Sequence, residues 1–429
     1  MFDLLPRFRG RAVVWIVFCC LACTLVYWRG LSLPLISDDY IQIWLGRKYL
    51  AFSSWPELAG DALYRCRATS IWLTGATELI FGSSQYVFNV SSLIVHILNV
   101  ALIAALGRFA PIGYRISLLA ALLWGLNERH HEAVMWYAAL PEQLVFTFVL
   151  TTVLFWLAWW QEERRWLYIA ALFSFVLALL SKESAVVVCA LLAIPLIYQP
   201  KRWRLALVAA LPFLALAAGY FALNVAAQDT HLHWNDGTFK IGWHFIPVIV
   251  NSSARLFTVW GFAALAVLFF FRKSVDWRLP VIALLWVPIT LAPYAFVAYQ
   301  PRVPSRHLYL ASVGLALLIA TALQFFQNRH RVMAAFIAVY LVFNTSYVWF
   351  YKQQQFLDRA NVTEDLIHET RALVDQSGVH PIQVSCFPLA PEIASIALSQ
   401  NLHVSASLVF VQAATDSSCG KARVSLVLD

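Results

Sequence analysis

The chain reads as an all-α polytopic membrane protein with a long first outer loop and a small C-terminal α/β domain outside the bilayer. Three observations predict this. Of its 429 residues 61% are apolar and only 13% charged, with a mean hydropathy of +0.68, a composition that does not suit a water-soluble globule. The apolar residues recur in runs of roughly 15 to 22, the length of helix that crosses a ~30 Å hydrocarbon core. The polar gaps between runs alternate between Arg/Lys-rich turns and gaps holding Asp, Glu, His or a single Lys.

The first run, residues 12 to 28, follows Arg7, Arg9 and Arg11, has no small-residue cleavage site and is too long for a signal core. It reads as an uncleaved anchor with its N-terminus in the cytoplasm. Further spans are expected near 86 to 107, 115 to 128, 143 to 160, 166 to 181, 184 to 198, 203 to 223, 254 to 271, 279 to 298, 308 to 326 and 332 to 350, about eleven in all. Alternate turns then hold Arg108/Arg115, Arg164/Arg165, Lys201/Arg202/Arg204, Arg272/Lys273/Arg278 and Arg329/Arg331. With the N-terminus, fifteen of the thirty-one basic residues fall on one side, as the positive-inside bias requires. The segment 69 to 81 is apolar but short and carries Glu78. Counting it as a span would put the basic turns outside, so it is expected as an interfacial or re-entrant helix within the outer loop, residues 30 to 85. The net charge of +8 sits in pairs and triplets between runs. It forms no basic face or tail to follow phosphates, so the reading is topology and membrane lipid rather than nucleic acid.

Residues 1 to 351 thus form the membrane domain, and 352 to 429 change character. There, 354 to 376 reads as a polar helix, Ile382 to Phe387 as a strand, Pro391 to Gln400 as a helix after a Pro start, and Val404 to Val411 and Arg423 to Val427 as strands. Cys386 and Cys419 are positioned to pair in an oxidising compartment. The other cysteines lie in apolar runs or alone, and no Cys/His spacing suggests structural zinc.

Candidate chemistry collects in the outer gaps. Asp38-Asp39, just after the first span, are costly near a membrane unless they bind a cation, pair with a base or accept a proton; helix capping is the plain alternative. Arg65 and Arg67 precede the interfacial helix. The next outer gap holds His130, His131, Glu132, Trp136 and Glu142, groups suited to a metal, a proton relay or a sugar hydroxyl, with Trp supplying a face for a sugar ring. Adjacent His side chains diverge, so His130 and His131 do not share one metal. Lys182-Glu183 interrupts a helical hairpin, either closing on itself or meeting a lipid phosphate. Arg302 and Arg306 run against the positive-inside bias and suit bidentate phosphate recognition. The loop 225 to 250, with Asp229, His231, His233, Trp234, Asp236 and His244, is placed to cover the site.

Taken in order, Asp38-Asp39, Tyr64-Arg65 before a helix ending Phe81-Gly82, Asn89 and His96, Glu132-Ala133-Val134-X-Trp136 with Glu142, Lys182-Glu183, and Ser305-Arg306-X-X-Tyr309-Leu310-X-X-Val313-Gly314 resemble GT-C membrane glycosyltransferases. The likeness is nearest the protein O-mannosyltransferases with TPR repeats and their bacterial relatives, over roughly residues 10 to 350. It implies a GT-C fold and a polyprenyl-phosphate sugar as donor. It also implies a hydroxyl acceptor on a glycan, lipid or protein, with work done on the outer face of a bacterial inner membrane. It makes Asp38 or Asp39 the general base beside Glu132, and gives the donor phosphate to Arg302, Arg306, Lys182 and Arg65. His130, His131, Trp136, Glu142, Glu183 and Tyr309 are left for sugar and acceptor. Some relatives use a divalent metal and others do not, so metal use stays open, with Asp38, Asp39 and Glu132 as the candidate ligands. Departures are Asn127-Glu128 in place of His-Pro, Leu140 in place of an Arg before Glu142, and no TPR array. A polysaccharide polymerase or ligase using a lipid-pyrophosphate glycan is one alternative. A lipid-linked sugar flippase or transporter is the other, although charges gathered at span ends on one side favour an enzyme.

Overall fold

The structure is a computed structural model that describes residues 5–227, 229, 237–297, 301–378, 380–402, 404–413 and 422–426. His231, His233, Trp234, Asp236, Cys419 and Val427 lie outside the described residues. The apolar runs are helices. α1 (Leu5–Tyr27) leads to α2 (Asp38–Lys48) and α3 (Ala68–Phe81) in the long first loop. Then come α4 (Gln85–Ala105), α5 (Gly113–Gly125), α6 (Leu140–Glu162) and α7 (Arg165–Leu179). A broken helical segment at Glu183–Ile197 precedes α8 (Trp203–Ala226), α9 (Phe245–Phe270), α10 (Arg278–Ala295), α11 (Leu308–Leu323) and α12 (His330–Ser346).

Among the described residues, seven helices are long and apolar enough to cross a membrane: α4, α6, α8, α9, α10, α11 and the long helix that begins as α12. Of the remaining expected spans, α5 has 13 residues and α7 has 15, and the segment at Glu183–Ile197 is broken. Helix α11 lies at the centre, with 83% of its apolar window buried in protein, whereas α8 and α9 bury only 22% and 28%. A helix apolar all round belongs either inside a bundle or against lipid, and these helices show both cases.

Helix α9 starts at Phe245, nine residues before the expected 254. Its first turns carry Asn251, Ser252 and Arg255, which break the apolar run in sequence. They are spent on holding the loop before α11. Asn251 Nδ2 donates to Pro301 O (3.2 Å), Ser252 Oγ accepts from Val303 N–H (3.1 Å), and Arg255 donates to Val303 O (2.9 Å) and Ser305 Oγ (2.6 Å).

Helix α3 packs on α2, and each brings a glycine to the crossing. A Cβ on Gly75 would lie 2.5 Å from Gly46 O, and one on Gly46 would lie 2.8 Å from Gly75 N. Gln42 Nε2 donates to Ser70 Oγ (3.3 Å) and Thr74 Oγ1 (3.1 Å) beside that contact. Glu78, the residue that argued against a span, accepts from Arg47 Nε at 2.7 and 2.9 Å. The pair α2/α3 is therefore a rigid bracket that carries Asp38 at its end.

The C-terminal segment forms α13 (Gln353–Ser377), β1 (Ile382–Phe387), α14 (Pro391–Leu402), β2 (Val409–Ala413) and β3 (Arg423–Leu426). The sheet order is β2-β1-β3, with β1 parallel to β2 and antiparallel to β3. Strand β2 begins at Val409 instead of 404 because Ala406–Leu408 is a 3-10 turn. Cys386 is disulfide-bonded. The expected boundary at 351/352 falls inside one continuous helix, since α12 passes through a π-helical turn, Tyr347–Lys352, into α13. Leu366, Ile382 and Val384 share a single core with Tyr40 and Ile43 of α2 and Phe88 of α4. Gln400 Nε2 donates to Tyr40 O (3.2 Å) across that contact. The α/β segment is thus docked on the bracket.

Candidate functional site

At the start of α2 the two adjacent aspartates part company. Ser37, before them, has φ 52° and ψ −112°, a left-handed region that is costly for a non-glycine residue and is often found at functional sites. Asp39 is 2% exposed. Its Oδ2 accepts from Ile36 N–H (2.7 Å) and its Oδ1 from Ala138 N–H (2.6 Å). Burial pushes its carboxyl up to about 7, opposed by those two N–H donations. Asp38 is exposed and lines a cavity of about 590 Å³. One carboxylate ties α2 to the segment after Trp136, and its neighbour is free to face a ligand.

The cavity lies among α2, the segment 136 to 142, the break at 182 to 190, α8, the end of α10 and the turn before α11. Its floor is a buried network. Lys182 Nζ donates to Glu142 Oε1, which also lies 2.6 Å from His307 Nδ1. Tyr294 donates to Glu142 Oε2 (2.7 Å), lies 2.9 Å from Ser184 Oγ, and stacks on His307 with ring centroids 4.1 Å apart. Glu142 is 3% exposed, and a carboxylate at that depth is stable only when paired and hydrogen-bonded. Lys182 thus pairs with a residue forty positions away, not with its neighbour Glu183, which also lines the cavity. Arg67, Arg306 and Trp136 complete the polar wall, and Val187, Phe221, Ile289 and Pro293 contribute to the apolar one.

Glu132 sits beside this wall. Its Oε2 accepts from the backbone N–H of Arg306 (3.0 Å) and lies 3.7 Å from Arg306 Nη1, and the Arg306 guanidinium lies over the Trp136 ring at 5.1 Å. Glu132 therefore fixes Arg306 and the turn that carries it.

Several residues expected at the site lie elsewhere. Arg65 is committed to Ala59 O and Asn224 Oδ1, both at 2.7 Å, while Arg67, two residues on, lines the cavity. His130 is buried against Trp124 and Tyr309, with Nε2 2.7 Å from Ser312 Oγ. His131 is buried with Nδ1 2.7 Å from Glu128 O. Burial holds His130 well below the usual histidine range and His131 down to about 3. Tyr309 is an interior residue bonded to His96 (2.8 Å) and Asn99 (3.3 Å). These three pack the bundle and do not line the cavity, nor does Arg302. Among the described residues no three His, Cys, Asp or Glu side chains come together to hold a metal. Asp38, Asp39 and Glu132 do not converge, because Asp39 is spent on backbone N–H groups.

Arg67, His307 and Tyr294 are among the cavity residues that were not singled out in the sequence as site residues. Arg67 and His307 lie within segments that drew attention, one beside Arg65 and one beside Arg306. Tyr294 sits in an apolar span after Pro293 and carries no signal apart from its place in the fold.

The fold is similar to the GT-C fold of membrane glycosyltransferases. The profile of the dolichyl-phosphate-mannose-protein mannosyltransferase family matches residues 69–227, from α3 to the end of α8, including Trp136, Glu142 and Lys182. The structure of ArnT from Cupriavidus metallidurans bound to undecaprenyl phosphate is similar, with a TM-score of 0.50 at 14% identity over 93% of this chain and 76% of ArnT. Its apo state gives 0.49 at 14% identity, over 93% and 77%. No curated protein matches the sequence.

Proposed function

We propose that the chain transfers a sugar from a polyprenyl-phosphate donor to a hydroxyl acceptor, in a bacterial inner membrane with its cavity on the periplasmic side. The observation that carries this reading is the single cavity of about 590 Å³ that brings Asp38, Arg67, Lys182 and Arg306 to one apolar-walled space. The matched family is named for a dolichyl-phosphate sugar donor and the similar ArnT structure holds undecaprenyl phosphate, which supports a lipid phosphate as the donor's handle. The orientation is supported by the basic turns, which fall at the opposite ends of the spans from Asp38.

In this reading the acceptor oxygen attacks the anomeric carbon and the bond from that carbon to the phosphate oxygen breaks. Asp38 takes the hydroxyl proton, and polyprenyl phosphate leaves with the electron pair. Arg67 and Arg306 meet the charge that grows on the leaving phosphate. Lys182, already met by Glu142, holds the floor beneath them. Trp136 offers a ring face to the sugar, and the apolar wall takes the first isoprene units. Asp39 positions Asp38 without touching substrate.

The test is mass spectrometry of polyprenyl-phosphate sugars and surface glycans from cells lacking the protein, set against cells carrying wild type or Asp38→Asn. Deletion and variant should both accumulate one lipid-phosphate sugar and lack one glycan residue. Purified Asp38→Asn should lose about 10² to 10⁴ in turnover with an unchanged unfolding temperature. Full rescue of the deletion by Asp38→Asn would sink the assignment.

A further inference from the structure

Arg306 reaches the cavity at the end of a segment that cannot hold itself. Pro301 and Pro304 have no backbone N–H to give, and Val303 and Ser305 are 1% and 0% exposed, so the polar groups around them need partners from elsewhere in the chain. Helix α9 supplies them. Asn251 donates to Pro301 O, Ser252 Oγ accepts from Val303 N–H, and Arg255 donates to Val303 O and Ser305 Oγ, at 2.6 to 3.2 Å. The next residue is Arg306, whose N–H goes to Glu132 Oε2 (3.0 Å) and which lines the cavity. Arg255 itself is not part of that lining.

These bonds come from a helix with only 28% of its apolar window buried in protein. Polar side chains on such a helix are costly and are retained for a purpose. Three residues after Arg255 the helix breaks. Thr258 has φ 43° and ψ −157°, a conformation that a β-branched residue takes only where its surroundings compel it. The break also needs room beside it, since a Cβ on Gly261 would lie 2.7 Å from Phe257 Cδ1 and 2.8 Å from Phe257 Cβ. A straight helix needs neither feature. The strained turn gives the outer half, Phe245 to Phe257, a direction of its own, and that direction seats Asn251, Ser252 and Arg255 on the loop.

We propose that Arg255 is a positioning residue for sugar transfer: seated by the break at Thr258, it aims Arg306 at the leaving phosphate without touching substrate. The proposal rests on the glycosyltransferase reading and adds to it a residue outside the cavity. The Arg255 guanidinium ties the backbone of Val303 to the side chain of Ser305, and Glu132 takes the next N–H along the chain. Together they fix the backbone from which the Arg306 side chain extends. Without the brace that side chain swings, and the cation no longer waits where charge grows on the phosphate.

The test is a double-mutant cycle on the full chain in phosphatidylcholine nanodiscs, read by the binding of undecaprenyl phosphate. Arg306→Ala and Arg255→Ala should each weaken binding roughly tenfold, and the double variant should bind no more weakly than Arg306→Ala alone, because Arg255 acts through Arg306. A roughly hundredfold loss in the double variant would mean that Arg255 meets the phosphate by itself, which overturns the positioning role. So does wild-type affinity in Arg255→Ala. Arg255→Lys keeps the charge without the planar fork, so it should fall between the two, and it carries the cycle where Arg255→Ala does not fold. Gly261→Ala crowds Phe257 and touches neither the loop nor the cavity. It should reproduce part of the loss, and unaltered binding there overturns the role of the break. Hydrogen exchange gives a readout that needs no donor: the Val303 and Arg306 amides should exchange faster in both Arg255 variants, and unchanged exchange overturns the brace. If undecaprenyl phosphate fails to bind wild type while exchange responds as expected, the donor reading fails and the brace on Arg306 stands.

Discussion

The cavity floor and the face around Trp136 are both rich in charge, yet they are built on opposite terms. On the floor, Glu142 joins Lys182, His307 and Tyr294, and its two oxygens are met by three donors. Around Trp136, the guanidinium groups of Arg306 and Arg359 lie over the ring at 5.1 and 4.6 Å, and among the described residues no carboxylate lies within ion-pair distance of Arg359. A buried charge left unpaired is expensive, so the floor is closed on itself and works as framework. An exposed cation such as Arg359 costs less to leave unpaired and remains available to a ligand. The difference teaches that partnering, rather than residue type, separates the charges that hold the fold from those that hold a ligand.

The largest way to break that comparison is Glu142→Gln. It keeps the volume and removes the carboxylate paired with the mostly buried Lys182, which should cost about 3–5 kcal/mol of stability and show as a fall in the thermal unfolding midpoint of the purified protein. Removing both charges, as Glu142→Gln/Lys182→Met, should return most of that loss. An unchanged midpoint in the single variant would mean that the floor is not framework.

This separation also explains what the sequence could and could not tell. The seven long apolar helices were legible because a helix in lipid must satisfy its own backbone and be apolar over its length. The strand Ile382–Phe387 and the helix from Pro391 were legible from turn residues and periodicity. The start of α9 was not, since Asn251, Ser252 and Arg255 look like a loop until the chain at 301 to 305 is seen to need their hydrogen bonds. Asp38 and Asp39 are alike in sequence and opposite in role, because only the fold brings Ala138 N–H to one of them. Glu142 and Lys182 were visible as charges in an apolar setting, but their pairing spans forty residues and no local pattern encodes it. His130 and His131 were over-read for the same reason: a polar ring near a span end is as readily a packed interior group as a ligand.

The next effect separates Arg67 from Arg65. Arg67 lines the cavity with no carboxylate within ion-pair distance among the described residues, so Arg67→Ala should lower kcat/KM for the donor at least about tenfold, the loss of one charge-assisted contact, with kcat falling because that contact strengthens as the leaving phosphate gains charge and the unfolding temperature little moved. Arg65→Ala frees Asn224 and Ala59 O and should lower the unfolding temperature instead, leaving the donor KM in place. Isothermal binding of undecaprenyl phosphate to both variants checks the contrast. The same change in both would merge the two arginines into one role.

The smallest effect is a pH step that belongs to Asp39. Burial raises its carboxyl from the ordinary 3.8 to about 7, so folding takes up a proton between those values. Its contribution to stability is therefore present in full below about 3.8, and it is lost as pH rises through about 7. Activity runs the other way. The ionised carboxylate accepts from both Ile36 and Ala138 N–H, and that double anchor holds α2, with Asp38 at its start, against the segment after Trp136. Turnover should accordingly rise through about pH 7, after thermal stability has fallen between about pH 3.8 and 7. Asp39→Asn should show lower turnover with that step removed from both profiles, because an amide neither titrates nor accepts at both of its atoms. A step that persists unchanged in Asp39→Asn would assign the titration to another group and leave the anchor without its pH signature.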